Sequence, residues 1–246
     1  MHSIDLNCDM GEGMANDALL MPFISSANIA CGYHAGNDYT IKQTIEWCLK
    51  HGVSIGAHPS FNDREHFGRN EIRLNDPELF DVVSEQLFLF KKIADRCGAA
   101  IHHVKPHGAL YNMAAKDAAM AKVIANAVYS FNNLIILYGL AGSFSITEAV
   151  AFGLKTAAEA FADRTYQSNG TLTSRSKQHA LLESSDAVIK QVLQIVNDET
   201  VTAFTGEIIP IYAKTICLHG DGSNAVEFAN AIHHALVAGN IKIAPL

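Results

Sequence analysis

Short apolar runs alternate with longer amphipathic stretches along this chain, seven times over. Ile4, Leu6 and Cys8 alternate with Asp5, Asn7 and Asp9, a period-two pattern that predicts a strand running into an acidic, Gly-rich turn. A run of small residues around Ser25 to Gly32 follows. Ile41, Ile45, Cys48 and Leu49 then recur at helical spacing, predicting a helix from about Tyr39 to His51, capped by Asp38 and stopped by Gly52. A third strand ends at His58-Pro59, and residues 60–76 read as a long charged binding loop. Asp76-Pro77 reads as N-cap and first turn of a helix over 77–97, with Leu79, Val82, Val83, Leu87, Phe90, Ile93 and Ala94 as its buried stripe.

The pattern continues with a strand into VKPHGALYN (104–112), a helix over 114–129, the apolar strand LIILYG and a helix from a Ser143 cap to Phe152. A sixth strand covers LKTAAEAFADR. A polar loop over 165–183 and a helix over 186–196 come next, then a small hairpin around Thr205-Gly206. The last strand is TICLHGD and the last helix spans 224–237. Seven strand–helix units fit a doubly wound sheet or a closed barrel. Polar residues end nearly every strand, instead of two strands at one switch point, which favours a single-domain seven-stranded β/α barrel over residues 1–246.

Composition narrows the function. Hydrophobic residues make up 49% of the chain, enough for a large core, and the net charge of −7 with no Lys/Arg-rich run argues against a nucleic-acid surface. No apolar run is long enough to span a bilayer. Five cysteines without a CxxC pair, behind an N-terminus lacking a signal-peptide pattern, predict reduced thiols in the cytoplasm. Cys31 and Cys217 read as small buried hydrophobes. No GxxxxGK[ST] or GxGxxG stretch is present.

His34, His58, His107 and His219 all stand at or just past strand ends, so a barrel would gather them at one rim. One such histidine is ordinarily structural, whereas four in matching positions suggest acid–base or metal chemistry. His34, His58, His219 and Asp221 are the candidate metal ligands, although no HxxxH-type spacing supports a metal. Lys105, Arg164 and Arg175 are candidates for holding a substrate carboxylate.

The blocks DLNCDMGEG, SSANIACGYHAGN, IGAHPSFND with FGR, VKPHGALYN, AEAFADRTY with NGTL, and TICLHGDGSNA occur in the order of the LamB/YcsF lactam-utilisation family, which the chain resembles from end to end. The resemblance implies a barrel of the glycoside hydrolase/deacetylase type. It implies ATP-dependent opening of the lactam 5-oxoproline to glutamate, together with two partner subunits. The family's motif residues fall on Asp5, Asn7, Asp9, Glu12, Asn28, His34, His58, Lys105, His107, Tyr111, Glu159, Asp163, Arg164 and His219-Gly220-Asp221. On this reading His107 or His58, oriented by Asp5 or Asp9, delivers water, Lys105 or Arg164 holds the substrate carboxylate, and Asn7, Asn28, His34, Tyr111, Glu159, Asp163 and Arg175 line the substrate site. Two departures stand out: the family's usual HAGDP is His34-Ala35-Gly36-Asn37-Asp38 here, and His179 replaces a usual Gly. A stand-alone metal-dependent amidase or deacetylase and a non-catalytic scaffold are the alternatives. The number of copies in an assembly, homo-oligomers included, is left open.

Overall fold

A computed structural model describes residues 2–175, 177–222 and 224–246. The strands are β1 (Ser3–Met10), β2 (Ser26–Ala30), β3 (Ser54–His58), β4 (His103–Val104), β5 (Ile136–Leu140), β6 (Lys155–Phe161), β7 (Thr200–Thr202), β8 (Ile208–Pro210), β9 (Thr215–His219) and β10 (Lys242–Ile243). The helices are α1 (Asp17–Leu20), α2 (Asp38–His51), α3 (Asp76–Arg96), α4 (Gly108–Ala114), α5 (Ala118–Phe131), α6 (Phe144–Ala151), α7 (Ser185–Asp198) and α8 (Ala225–Ala238). Strands β1 to β6 and β9 pair in parallel, and β1 closes the ring on β9. The result is the seven-stranded β/α barrel expected. β7 and β8 form the antiparallel hairpin, and β10, not anticipated, pairs with the lower end of β1.

The alternation in β1 sorts its side chains. Ile4, Leu6, Cys8 and Met10 join the apolar layer between strands and helices. Asp5, Asn7 and Asp9 turn into the barrel, and β9 does the same with Thr215, Cys217 and His219 opposite them in register. A small separate cluster of Ile136, Tyr138 and Ala157 packs within the ring. Next to it Asp5 accepts hydrogen bonds from Ser25, Ser26, Tyr138 and Thr215 at 2.6 to 3.0 Å. Gly56 on β3 lies beside His103 in register, and a Cβ there would run into the His103 ring.

Local corrections fall at helix starts. Asn37, not Asp38, caps α2, and Asn75, not Asp76, caps α3; both form capping boxes. The Asn37 amide oxygen accepts from the Tyr39 and Thr40 amides, so the cap survives the change from the family's usual acid. On α3, Gln86 joins the buried stripe and Val82 is only half-buried. The helix expected over 114–129 is two helices. The first begins at Gly108, inside the VKPHGALYN block, and Asp117 caps the second. Ser143 holds the N-cap position of α6 without a side-chain capping bond. Among the described residues no helix is long and apolar enough to cross a membrane, and all five cysteines are free.

Candidate active site

The polar column rises through the barrel in steps. Asn7 donates to Glu159 Oε1 at 2.9 Å and to Thr215 Oγ1 at 2.7 Å. Asn28 donates to Asn7 Oδ1 at 2.7 Å and to Asp9 Oδ1 at 2.8 Å, and its own oxygen meets His103 Nε2 at 2.8 Å. Above them Lys105 Nζ lies 2.9 Å from Asp9, 3.0 Å from Glu159 and 3.0 Å from Cys217 Sγ. Burial alone would neutralise this ammonium; Asp9, Cys217 and Glu159 outweigh it and hold the group charged, well above the usual lysine range. Burial would likewise raise Asp9, but His58 and Lys105 hold its carboxyl well below the usual range. Burial pushes the Cys31 thiol up to about 12 and the Cys217 thiol up as well, so neither is a poised nucleophile.

A narrow cleft of about 50 Å³ opens at the strand ends. Asp9, Glu12, His58, Arg69, Lys105, His107, Tyr111, Arg164, Arg175, His219 and Asp221 line it. Asn7, Asn28, His34 and Glu159, expected to touch substrate, stand behind this wall. Asp5 lies deeper still, occupied by its four hydroxyl partners rather than by His58 or His107. The carboxylate nearest His58 is Asp9, whose oxygen lies 3.4 Å from Nε2. Lys105 is already matched by two carboxylates. Arg164 is the freer cation: it is buried, and among the described residues it gives one bond, to the Thr173 carbonyl, and leaves its Nε without a partner. Burial lowers its pKa to about 10, still charged at neutral pH. Arg175 sits farther out, 4.0 Å from Asp221, which also receives Arg69 at 2.9 Å.

Two histidine arrangements face the cleft. His219 Nδ1 lies 2.9 Å from both oxygens of Asp163, and its ring stacks on Phe161. Asp163 accepts that N–H from behind the wall, leaving Nε2 as the lone pair. Burial would raise the Asp163 carboxyl; His219 and Arg164 hold it below the usual range. The second arrangement is the trio His34, His58 and His107 with Glu12. Here His58 Nε2 and His107 Nδ1 lie 2.9 Å apart and point at each other. The loop between β3 and α3 closes over them: His107 Nε2 donates to the Phe67 carbonyl at 3.0 Å. Gly68 (φ +65) and Gly108 (φ +58) permit this contact, since a Cβ on Gly68 would strike Ser60 Oγ and one on Gly108 would strike the Gly68 carbonyl. The metal set expected from sequence does not assemble: His219 is taken by Asp163 and Asp221 by Arg69, while Glu12 and His107 join His34 and His58. Sequence reasoning missed His103 and gave Glu12 no role. An HH pair before VKPHG was the visible sign of the first, and the Gly-rich turn after β1 of the second.

A closed seven-stranded parallel barrel with converging acid, base and histidine side chains at its strand ends defines the class: a β/α-barrel protein with an enzyme-like cleft. The LamB/YcsF family profile matches residues 4–246, and the chain belongs to that family. It is 47% identical over 248 residues to the A-type subunit of 5-oxoprolinase from Tolumonas auensis, covering 99% of both chains. It also superposes on the crystal structure of the lactam utilization protein from Thermus thermophilus with a TM-score of 0.93 and 34% identity, over 99% of this chain and 100% of the other. A family 4 carbohydrate esterase from Streptomyces lividans matches at a TM-score of 0.54 and 10% identity, over 98% of this chain and 91% of that one, a likeness of fold.

Proposed function

We propose that this chain is the A-type subunit of an ATP-dependent 5-oxoprolinase, a cyclic-amide hydrolase that opens 5-oxo-L-proline to L-glutamate with two partner subunits. The observation that carries the reading is the pairing, across one cleft, of a partly unpartnered buried guanidinium at Arg164 with the His219–Asp163 dyad. A five-membered lactam bearing one carboxylate suits that combination. Arg164 holds the substrate carboxylate through charge-assisted hydrogen bonds. His219, its Nδ1–H fixed by Asp163, takes a proton from water as the water adds to the lactam carbonyl. This moves the base from His58 or His107 to His219, because a base needs its lone pair turned to the cleft. The lactam amide is resonance-stabilised; ATP would activate it by giving its γ-phosphoryl group to the carbonyl oxygen with loss of ADP, and phosphate would leave after water has added. The ring C–N bond then breaks, and the released nitrogen becomes the amino group of glutamate. The names borne by the relatives support both the substrate and the role within an assembly.

The test is glutamate release from 5-oxoproline by this chain alone and with its two partners, with and without ATP. Turnover that requires both ATP and the partners is the expected result. Turnover by the chain alone without ATP would overturn the reading in favour of a stand-alone amidase. In the active assembly, Asp163→Asn is expected to lower kcat by about 10²- to 10⁴-fold with little change in KM. An unchanged kcat in that variant would remove His219 as the base.

A further inference from the structure

We infer that Glu12, His58 and His107, with His34 as a fourth donor, form a binding site for one divalent transition-metal ion at the wall of the cleft. The hydrogen-bond pattern fixes the tautomers. His58 Nδ1 lies 2.6 Å from the Lys105 carbonyl, and His107 Nε2 lies 3.0 Å from the Phe67 carbonyl. A carbonyl oxygen only accepts, so both of those nitrogens carry hydrogen. In the neutral rings the other nitrogens, His58 Nε2 and His107 Nδ1, are then both bare lone pairs, and they face each other at 2.9 Å. Two lone pairs at that distance repel unless a cation or a proton joins them.

The surroundings favour the ion. Glu12 Oε1 lies 3.2 Å from His34 Nε2 and 3.5 Å from His107 Nδ1, so one carboxylate oxygen meets the same spot. His34 is 1% exposed and its Nδ1 has no hydrogen-bond partner among the described residues. Its ring lies parallel to His107 at 3.9 Å, so it must turn to complete the shell. Backbone carbonyls holding the outer N–H of two imidazoles are the usual support for metal-bound histidines. The nearby charges are Asp9, 3.4 Å from His58, and Glu159, against the single ammonium of Lys105. Arg64 donates to the Gly32 and Gly36 carbonyls, and Arg69 bonds to Asp221. With Glu12 counted, three carboxylates stand against one ammonium. Imidazole-rich donors with one carboxylate suit zinc, cobalt or iron rather than magnesium or calcium. The neighbouring group of Asp9, Cys217 and His219 is different, because the Lys105 ammonium already lies against Asp9 and Cys217.

The inference goes beyond the proposed function and its test is binding, not turnover. Full-length protein stripped with chelator is titrated with Zn²⁺ by calorimetry, and with Co²⁺ by visible absorption, at pH 7.5. One equivalent of metal is expected, with Co²⁺ bands of nitrogen-rich coordination. Glu12→Gln and His107→Gln are expected to weaken binding by roughly 100-fold or more, and His34→Gln by less. Asp95→Asn, on the exposed face of α3 and paired with Lys91, is expected to bind as the unaltered protein does, and far-UV circular dichroism checks each variant's fold. Absence of stoichiometric binding by the unaltered protein would overturn the inference and leave a shared proton between His58 and His107. So would full binding by a folded Glu12→Gln, His107→Gln double variant.

Discussion

His103 shows how one ring is kept neutral. It is fully buried, stacked on Tyr138 at 4.1 Å, and bonded through Nε2 to Asn28. Burial, with His102, Lys105 and His58 as like-charged neighbours, holds its pKa well below the usual histidine range. The unfolded chain therefore binds a proton here below about pH 6.5 that the native protein refuses. Stability from this group is complete above that pH and falls as the pH drops, by about 1.4 kcal/mol per pH unit. Replacing His103 with Gln keeps a donor for Asn28 and removes the titration. Urea unfolding between pH 6.5 and 5 is expected to show a slope smaller by about one proton in that variant; an identical slope would refute the assignment. Most residues at strand ends were legible in the sequence because a Gly or Pro stands within two positions, as at Asp9, His34, His58, His107 and His219. His103 was not, since only the pairing of β3 with β4 places it under Gly56 and inside the ring.

At the scale of elements, the 3.6 and 2.0 periodicities located nearly every strand and helix. The errors arose where the signal is a single residue. Asp76-Pro77 looks like a cap and first turn, yet the Asn75 side chain accepts the Glu78 amide at 2.9 Å and Glu78 reaches back to the Asn75 amide. Asn75→Ala is expected to cost about 1 kcal/mol in thermal or urea unfolding, whereas Asp76→Ala should cost only a few tenths through the helix dipole. Equal losses would mean the cap is misplaced. The break between α4 and α5 was hidden for a related reason: Ala is common on both sides, and only Asp117, accepting from Ala119 and Met120, restarts the helix. β10 is two residues long and carries no periodicity to read.

Across the whole molecule the barrel interior is unusual in being braced by polar groups. Seven units and their closure could be counted from sequence, but the difference between Asp5 as an orienter of histidines and Asp5 as a brace could not. That difference depends on which side chains meet across the ring. Asp5 collects hydroxyl donors from the segment entering β2, from β2 itself, from β5 and from β9. Asp5→Ala would strand the buried hydroxyls of Ser26, Tyr138 and Thr215, while Ser25 keeps the Leu6 carbonyl, and is expected to destabilise the protein by about 3 kcal/mol or more. Asp5→Asn should cost less and leave kcat of the folded fraction nearly unchanged, measured in the reconstituted assembly. A large fall in kcat with normal stability would return Asp5 to the catalytic role.

The same brace constrains how the molecule is made. Asp5 leaves the ribosome well before the Thr215 hydroxyl it needs, which arrives 210 positions later. β1 can pair with β2 early, but its other edge waits for β9. Contacts this distant in sequence form late and slow folding. A nascent chain lacking its last strand holds an open sheet with an exposed edge and an unsatisfied carboxylate, the state most exposed to aggregation. The barrel strand that opens the ring is thus the last to be finished.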